Sequence, residues 1–291
     1  MVEADPCFVC QSVDLINLFQ IDERQYVKCC QCGLVFLKGI SKVKAKAVYK
    51  TDAYQMFESR HRLGFREAIY QKSLKEIERV KKSGRLLDVG CGDGLFLSLA
   101  NKRGWETYGV EISPMASEHA KNVFHLNITH GELHEARFPD TFFDVVTLFN
   151  VLDHFPCPLD ELLEIRRILK DGGLLVLRVP NTRFHVNLIR ILKSLEHHLV
   201  FHLYCFSPKT IRYLLEKMGY RKIYVKNSPL TPSDPYSVSP FLGDWGMHLI
   251  KETVYFTAQV VYYSSARKLI IGPSLMAHAI KAEEEQRFDR R

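Results

Sequence analysis

No stretch of this chain reaches the ~18 uncharged apolar residues that a membrane-spanning helix needs. The nearest, Val254–Tyr263, is short and flanked by Lys251, Glu252, Arg267 and Lys268. The first residues, Met1-Val2-Glu3-Ala4-Asp5-Pro6, are acidic and lead into no apolar run, so no secretory leader is expected. Internal repeats are absent, which argues against a solenoid or propeller. The dinucleotide fingerprint G-x-G-x-x-G is missing as well. Neither charge sign dominates: 40 Lys and Arg stand against 33 Asp and Glu, a net charge of +7. Basic residues cluster at Lys38–Lys50 and Arg79–Arg85. These read as a solvated linker and helix end, with an attraction for phosphate-bearing or acidic acceptors as the sharper alternative. Beyond residue 32 cysteine is scarce, with only Cys91, Cys157 and Cys205, whereas Cys7, Cys10, Cys29, Cys30 and Cys32 crowd the front. Such an uneven pattern fits a reducing, cytoplasmic setting and a metal site better than disulfides.

Cys7-x-x-Cys10 and Cys29-x-x-Cys32 are two short pairs separated by 18 residues. Four thiolates from two such turns can close a tetrahedral shell around zinc. The intervening Leu15–Tyr26 alternates enough to make a small hairpin, and Cys30 reads as a spectator. Residues 1–40 are therefore expected to form a zinc ribbon. A closed four-Cys site leaves no open coordination position, so its expected role is structural.

Downstream, the run Asp88-Val89-Gly90-Cys91-Gly92-Asp93-Gly94 lies between apolar stretches. Glycines at alternate positions make a tight turn without side chains on one side. A ligand can then lie against backbone N–H groups where a strand passes to a helix. Strand and helix alternate from there on. Helices are expected at 41–83 (Ala47–Phe57 and Phe65–Val80, with Phe65, Ile69, Leu74, Ile77 and Val80 at helical steps). Further helices are expected at Leu95–Lys102, from Ser113-Pro114, and at Leu159–Leu169, Arg183–Leu195 and Pro208–Met218. Strands are expected at Trp105–Val110, Val123–Thr129, Phe142–Phe149, Leu174–Val179, Tyr220–Lys226 and Leu275–Lys281. Lys170–Gly173 is expected to stop the helix before it. Such alternation implies an α/β fold, a parallel sheet with helices on both faces and ligands at the strands' carboxyl ends.

Asp88–Gly94, Glu111, Glu132-Leu133, Asp144–His154 and Lys170–Gly173 occur in an order and spacing that resembles class I S-adenosylmethionine-dependent methyltransferases. The likeness covers residues 84 to about 226, and is similar to the methyltransferase type 11/23-like group. The leading ribbon with Cys32-Gly33-Leu34-Val35-Phe36 resembles a bacterial and archaeal subgroup. This implies a Rossmann-like seven-stranded methyltransferase sheet with helices on both faces, preceded by the ribbon. The implied divisions are a ribbon (1–40), a helical linker or lid (41–83) and a methyltransferase domain (84–281) with an insertion (227–274). A disordered tail (282–291) would follow. The resemblance implies S-adenosyl-L-methionine contacts from Asp88, Gly90, Cys91, Gly92, Gly94, Glu111, Ile112, Glu132, Leu133 and Asn150. Glu111 would take the ribose hydroxyls. Glu132 would reach the adenine amino group, Leu133 would offer its N–H to the ring, and Asn150 would touch the methionine part.

Asn150-Val151-Leu152-Asp153-His154 resembles the acid-x-x-acid-His element of ubiquinone-biosynthesis O-methyltransferases. Asp153 and His154 match; Asn150 departs from the acidic first residue, which counts against a metal-assisted reaction. His154 is the first candidate general base, helped by Asp153, and His202, in a His-aromatic-Ser stretch, is the second. Arg178, Asn181 and His185 are candidate acceptor contacts. The aromatic segment Trp245–Tyr263 has three uses open to it: core packing, a lid, or an interfacial helix. The implied partner is a small-molecule, sugar or lipid-linked acceptor, methylated on oxygen. RNA held by the ribbon and the Lys-rich linker is the alternative, a non-catalytic cofactor-binding scaffold a further one. No sequence signal sets an oligomeric state.

Overall fold

The computed structural model describes residues 6–21, 23–39, 64–182, 184, 186, 203–228 and 243–283. The expected helix Ala47–Phe57, most of Arg183–Leu195, and His185 and His202 lie outside these residues.

Among the described residues the chain builds two sheets. The smaller has four strands in the order β1-β2-β3-β9: β1 (Leu15–Ile21), β2 (Arg24–Cys29), β3 (Val35–Leu37) and β9 (Tyr204–Cys205). β1 and β2 form the antiparallel hairpin that the alternation implied. Helix α1 (Gly64–Val80) follows and packs Leu74 and Ile77 into the same core cluster as Leu86 and Phe96. Val80, the last of the residues at helical steps, is half exposed at the helix end.

The larger sheet takes the order β10-β11-β8-β7-β4-β5-β6. Its members are β4 (Arg85–Val89), β5 (Glu106–Glu111), β6 (Asn127–His130), β7 (Phe143–Phe149), β8 (Leu169–Pro180), β10 (Tyr220–Asn227) and β11 (Ser274–Lys281). Pairs among β4, β5, β6, β7 and β8 are parallel, while β11 runs antiparallel to both its neighbours. Intervening helices are α2 (Leu95–Asn101), α3 (Pro114–Phe124), α4 (Pro158–Ile168), α5 (Pro208–Lys217) and α6 (Gly243–Ser264). Strand order reverses between β4 and β7, and a sheet wound this way leaves its crevice there, beyond the carboxyl ends.

Local chemistry sets the boundaries. Ser113 caps α3 through its Oγ, which accepts from the Ala116 N–H at 3.3 Å, with Pro114 in the first turn. Ser207 caps α5 in the same way. Two expectations need correction. Val123 and Phe124 belong to α3, not to the third strand; His125 turns the chain in a left-handed conformation, and β6 starts at Asn127. Lys170–Gly173 is no separate stop, because β8 begins at Leu169. Pairing slips between Phe143 and Val145, so the extra residues around Gly172 bulge from the strand. Asp144, the one acid in an apolar strand, is held there by the Arg85 N–H at 2.9 Å and the Lys170 ammonium at 2.8 Å.

Candidate active site

The niche begins where β4 ends. A side chain at Gly90 would place its Cβ 2.5 Å from Val151, so the turn can pass beneath the segment after β7 only as glycine. At Gly92 (φ +54) a Cβ would meet nothing within 4 Å. The bare side of the turn therefore leaves its backbone uncovered by side chains there, as contact of a ligand with the backbone requires. Cys91 is packed below, against β5 and α2. Burial, with Asp88 and Glu111 adding, pushes its thiol pKa well up, and it is no nucleophile.

Carboxylates rim this turn. Glu111 ends β5 and is buried. Its two oxygens accept the Gly92 N–H and the Ser113 N–H, each at 2.8 Å. Burial raises its pKa against those two donors. Asp88 accepts the Thr147 hydroxyl at 2.6 Å. Burial pushes Asp88 up to about 8, with the charges of Glu111 and Asp93 adding to it. Thr147, on the neighbouring strand β7, is a contributor that sequence reading missed, since a threonine in a β-branched run carries no distinguishing signal. Ile112 follows Glu111, and its carbonyl lies 3.2 Å from His130 Nε2. Glu132 caps the short helical turn Leu133–Ala136, and its own N–H is accepted by Glu135 at 2.7 Å. Leu133 is buried at the start of that turn. Asn150 follows β7 at φ +58, donates its N–H to the Arg178 carbonyl at 2.9 Å and accepts from the Arg178 guanidinium.

One further side chain comes from outside the motifs. Tyr70 of α1 packs its ring against Phe96 and Phe149 at 5.4 and 5.3 Å. Burial raises its hydroxyl pKa, and Asp88, Asp93 and Arg178 lie near enough to influence it. Helical periodicity marks Ile69 beside it but not Tyr70.

Beyond β7, the turn Leu152–His154 holds Asp153 fully buried and His154 partly exposed. His154 Nε2 lies 3.3 Å from Asp153 Oδ2. An imidazole that donates Nε2–H to this carboxylate carries its lone pair on Nδ1 and can accept a proton there. Asn181 is not presented to an acceptor. It is buried and donates to the Gly272 carbonyl at 2.7 Å, tying down the loop before β11. Arg178 is buried at the end of β8 and donates to Ser228 Oγ at 2.8 Å.

The cysteine pairs converge as their spacing implied. Sulfurs of Cys7, Cys10, Cys29 and Cys32 all lie within 4.8 Å of one another, and Cys30 is exposed. Zinc–thiolate bonds of about 2.3 Å set tetrahedral sulfurs about 3.8 Å apart. Cys7–Cys32 and Cys10–Cys29 stand at 3.5 and 3.4 Å, so the donor set fits. This knuckle is not a detached module. β3 pairs with β9, and the Thr210 hydroxyl donates to the Cys32 carbonyl at 2.8 Å. Phe8 packs edge-on to Tyr204 at 5.0 Å, and the Tyr204 hydroxyl donates to the Pro156 carbonyl at 3.2 Å. The Leu203 N–H donates to the Asp153 carbonyl at 3.0 Å. The knuckle thus braces the turn that carries Asp153 and His154.

Fold and site define a class I S-adenosylmethionine-dependent methyltransferase. Residues 59–225 match the family described as a methyltransferase domain, and the chain belongs to that family. It is similar to the ubiquinone biosynthesis O-methyltransferase, mitochondrial, of Schizosaccharomyces pombe, 32% identical over 124 residues, 40% of this chain and 44% of that one. The chain spans less than half the length of such curated relatives. Among solved structures, a SAM dependent methyltransferase from Archaeoglobus fulgidus matches with a TM-score of 0.50 at 22% identity, covering 74% of this chain and 94% of that one. Haemonchus contortus phosphoethanolamine N-methyltransferase 2, in complex with phosphomonomethylethanolamine and S-adenosylhomocysteine, matches with a TM-score of 0.55 at 18% identity. That match covers 86% of this chain and 63% of the other. At these identities the structural likeness is one of fold.

The raised Asp88 pKa has a measurable consequence. The folded chain keeps this proton up to about pH 8, where the unfolded chain has lost it in the ordinary carboxylate range. Between those limits the native state binds more protons, so the ligand-free chain loses stability as pH rises. Thermal melts across this window should show the decline, and Asp88→Asn should make it shallower, the remainder coming from acids such as Glu161, which burial pushes up to about 7; an unchanged slope would contradict the assignment.

Proposed function

We propose that this chain methylates an oxygen on a small-molecule, sugar or lipid-linked acceptor, with quinone-like phenols among the candidates. The observation that carries this reading is the buried Asp153 beside His154, set at the carboxyl end of β7 next to the glycine niche. The name of the curated O-methyltransferase relative supports oxygen as the atom. S-adenosylmethionine supplies a methyl group on a positively charged sulfonium. The acidic groups Asp93 and Glu111 suit a cationic ligand, and the open face at Gly92 gives it a floor.

In this reading Glu111 orients the ribose, with Glu132 and Leu133 at the adenine and Asn150 at the methionine end. His154 Nδ1 takes the acceptor's hydroxyl proton while the oxygen bonds to the methyl carbon. The carbon–sulfur bond breaks and its electron pair stays on sulfur, leaving a neutral thioether. Asp153 stabilises the imidazolium that forms. Alignment of oxygen, carbon and sulfur supplies the rest of the rate. His154→Ala should lower kcat by about a hundredfold or more while the cofactor Kd stays within twofold, about the size of a lost general base. Unchanged turnover would remove His154 from the role and leave His202 as the candidate.

We further propose that Cys7, Cys10, Cys29 and Cys32 hold a structural zinc. Chelation should release one equivalent of metal and lower the melting temperature. It should reduce kcat through the β9 brace, yet leave cofactor affinity nearly unchanged. Metal-free protein with the same melting temperature would overturn the zinc assignment.

A further inference from the structure

Helix α6 turns an apolar face outward. Its inner side is fixed: Ala258 and Tyr262 are buried, the Ala258 carbonyl accepts from Asn227 Nδ2 at 3.0 Å, and the Tyr262 and Tyr224 hydroxyls meet at 2.8 Å. Core packing therefore accounts for that side alone. The outer side carries Leu249, Thr253, Phe256, Val260 and Tyr263 at alternating four- and three-residue steps. Leu249 is 55% exposed, Phe256 69%, Val260 50% and Tyr263 63%. At 1.5 Å per residue this stripe is about 21 Å long. No charged residue occurs from Thr253 through Ala266, where a helix facing water ordinarily places its charges.

The patch has two further properties. It is bordered by cations: Arg267 and Lys268 are exposed just past the helix, and the Arg267 guanidinium lies 5.9 Å from the Tyr263 ring. On α1, the Lys72 ammonium donates to the Tyr255 hydroxyl at 3.3 Å. It also extends into the loop that lies at the carboxyl end of β8. Leu269 and Ile271 are exposed in the loop after α6, and that loop is anchored to Asn181 at the carboxyl end of β8. The same side of the sheet bears the glycine niche and His154.

We propose that this face docks on an anionic lipid bilayer and presents the cleft to an acceptor dissolved in, or anchored to, that bilayer. Aromatic and aliphatic side chains would enter the headgroup boundary while Arg267 and Lys268 meet anionic headgroups. Charge complementarity from Arg267 and Lys268, with the loop's place at the carboxyl end of β8, favours a lipid surface over a second copy of the chain. The choice of acceptor rests on the methyl-transfer reading above; the docking itself does not.

Flotation of the full chain tests it, using vesicles of phosphatidylcholine alone or mixed with phosphatidylglycerol. The chain should float with the mixed vesicles and not with phosphatidylcholine alone. Phe256→Asp with Val260→Asp should weaken binding at least about tenfold. Arg267→Gln with Lys268→Gln should weaken it about thirtyfold, at ~1 kcal/mol per cation. These four residues are exposed, and cofactor binding by calorimetry should be the same in every variant. Absence of flotation by the unaltered chain, or flotation of both double variants equal to that of the unaltered chain, overturns the proposal. So does a dimer in sedimentation equilibrium that Phe256→Asp dissociates. Failure to bind S-adenosylhomocysteine would instead strike the methyl-transfer reading and leave the flotation result standing.

Discussion

The bond between the Gly92 N–H and the Glu111 carboxylate joins the two halves of the ligand niche. One partner belongs to the turn after β4, the other ends β5, and the second Glu111 oxygen takes the Ser113 N–H that opens α3. A buried carboxylate is costly unless such donors meet it. Here it fixes the shape of the turn before any ligand arrives. Asp93 stands close by, and Asp88 keeps its proton up to about pH 8 because burial and these neighbours make its ionisation costly. A cation entering the niche therefore lowers the cost of keeping these groups ionised.

A second constraint comes from the front of the chain. Four cysteines gather at one end of a small sheet whose last strand, β9, is supplied from residues far downstream. Through Leu203, Tyr204 and Thr210 the knuckle reaches the turn that holds Asp153 and His154. A metal there would act without touching a substrate, by holding the turn that carries Asp153 and His154. Metal loss and cofactor loss are thus expected to have different signatures, because the knuckle is joined to the Asp153–His154 turn and the cofactor reading rests on the glycine turn.

Much of this was legible in the sequence where local rules and global fold agree. The glycine run, the Ser113-Pro114 helix start and the paired C-x-x-C motifs each act through short-range geometry, and each is found in place. Boundaries failed where the deciding residue is ambiguous. Val123 and Phe124 suit strand or helix equally, and only His125, adopting a left-handed turn, ends α3. Lys170–Gly173 looks like a terminator because of its glycines, but its lysine is needed by Asp144 across the strands. Site residues contributed by other elements were invisible for a similar reason. Thr147 and Tyr70 matter through what faces them, and nothing in their own neighbourhood announces it. Asn181 misled in the opposite sense: its position after β8 suggests a contact with ligand, whereas burial makes it an anchor for the loop that follows α6.

The most direct test of the niche is a crystal structure of the chain grown with S-adenosylhomocysteine. The account predicts the adenosyl group lying on the bare face of Gly92, with both ribose hydroxyls within hydrogen-bond distance of Glu111. A ligand bound elsewhere, or a Glu111 carboxylate still facing only the Gly92 and Ser113 N–H groups, would contradict it.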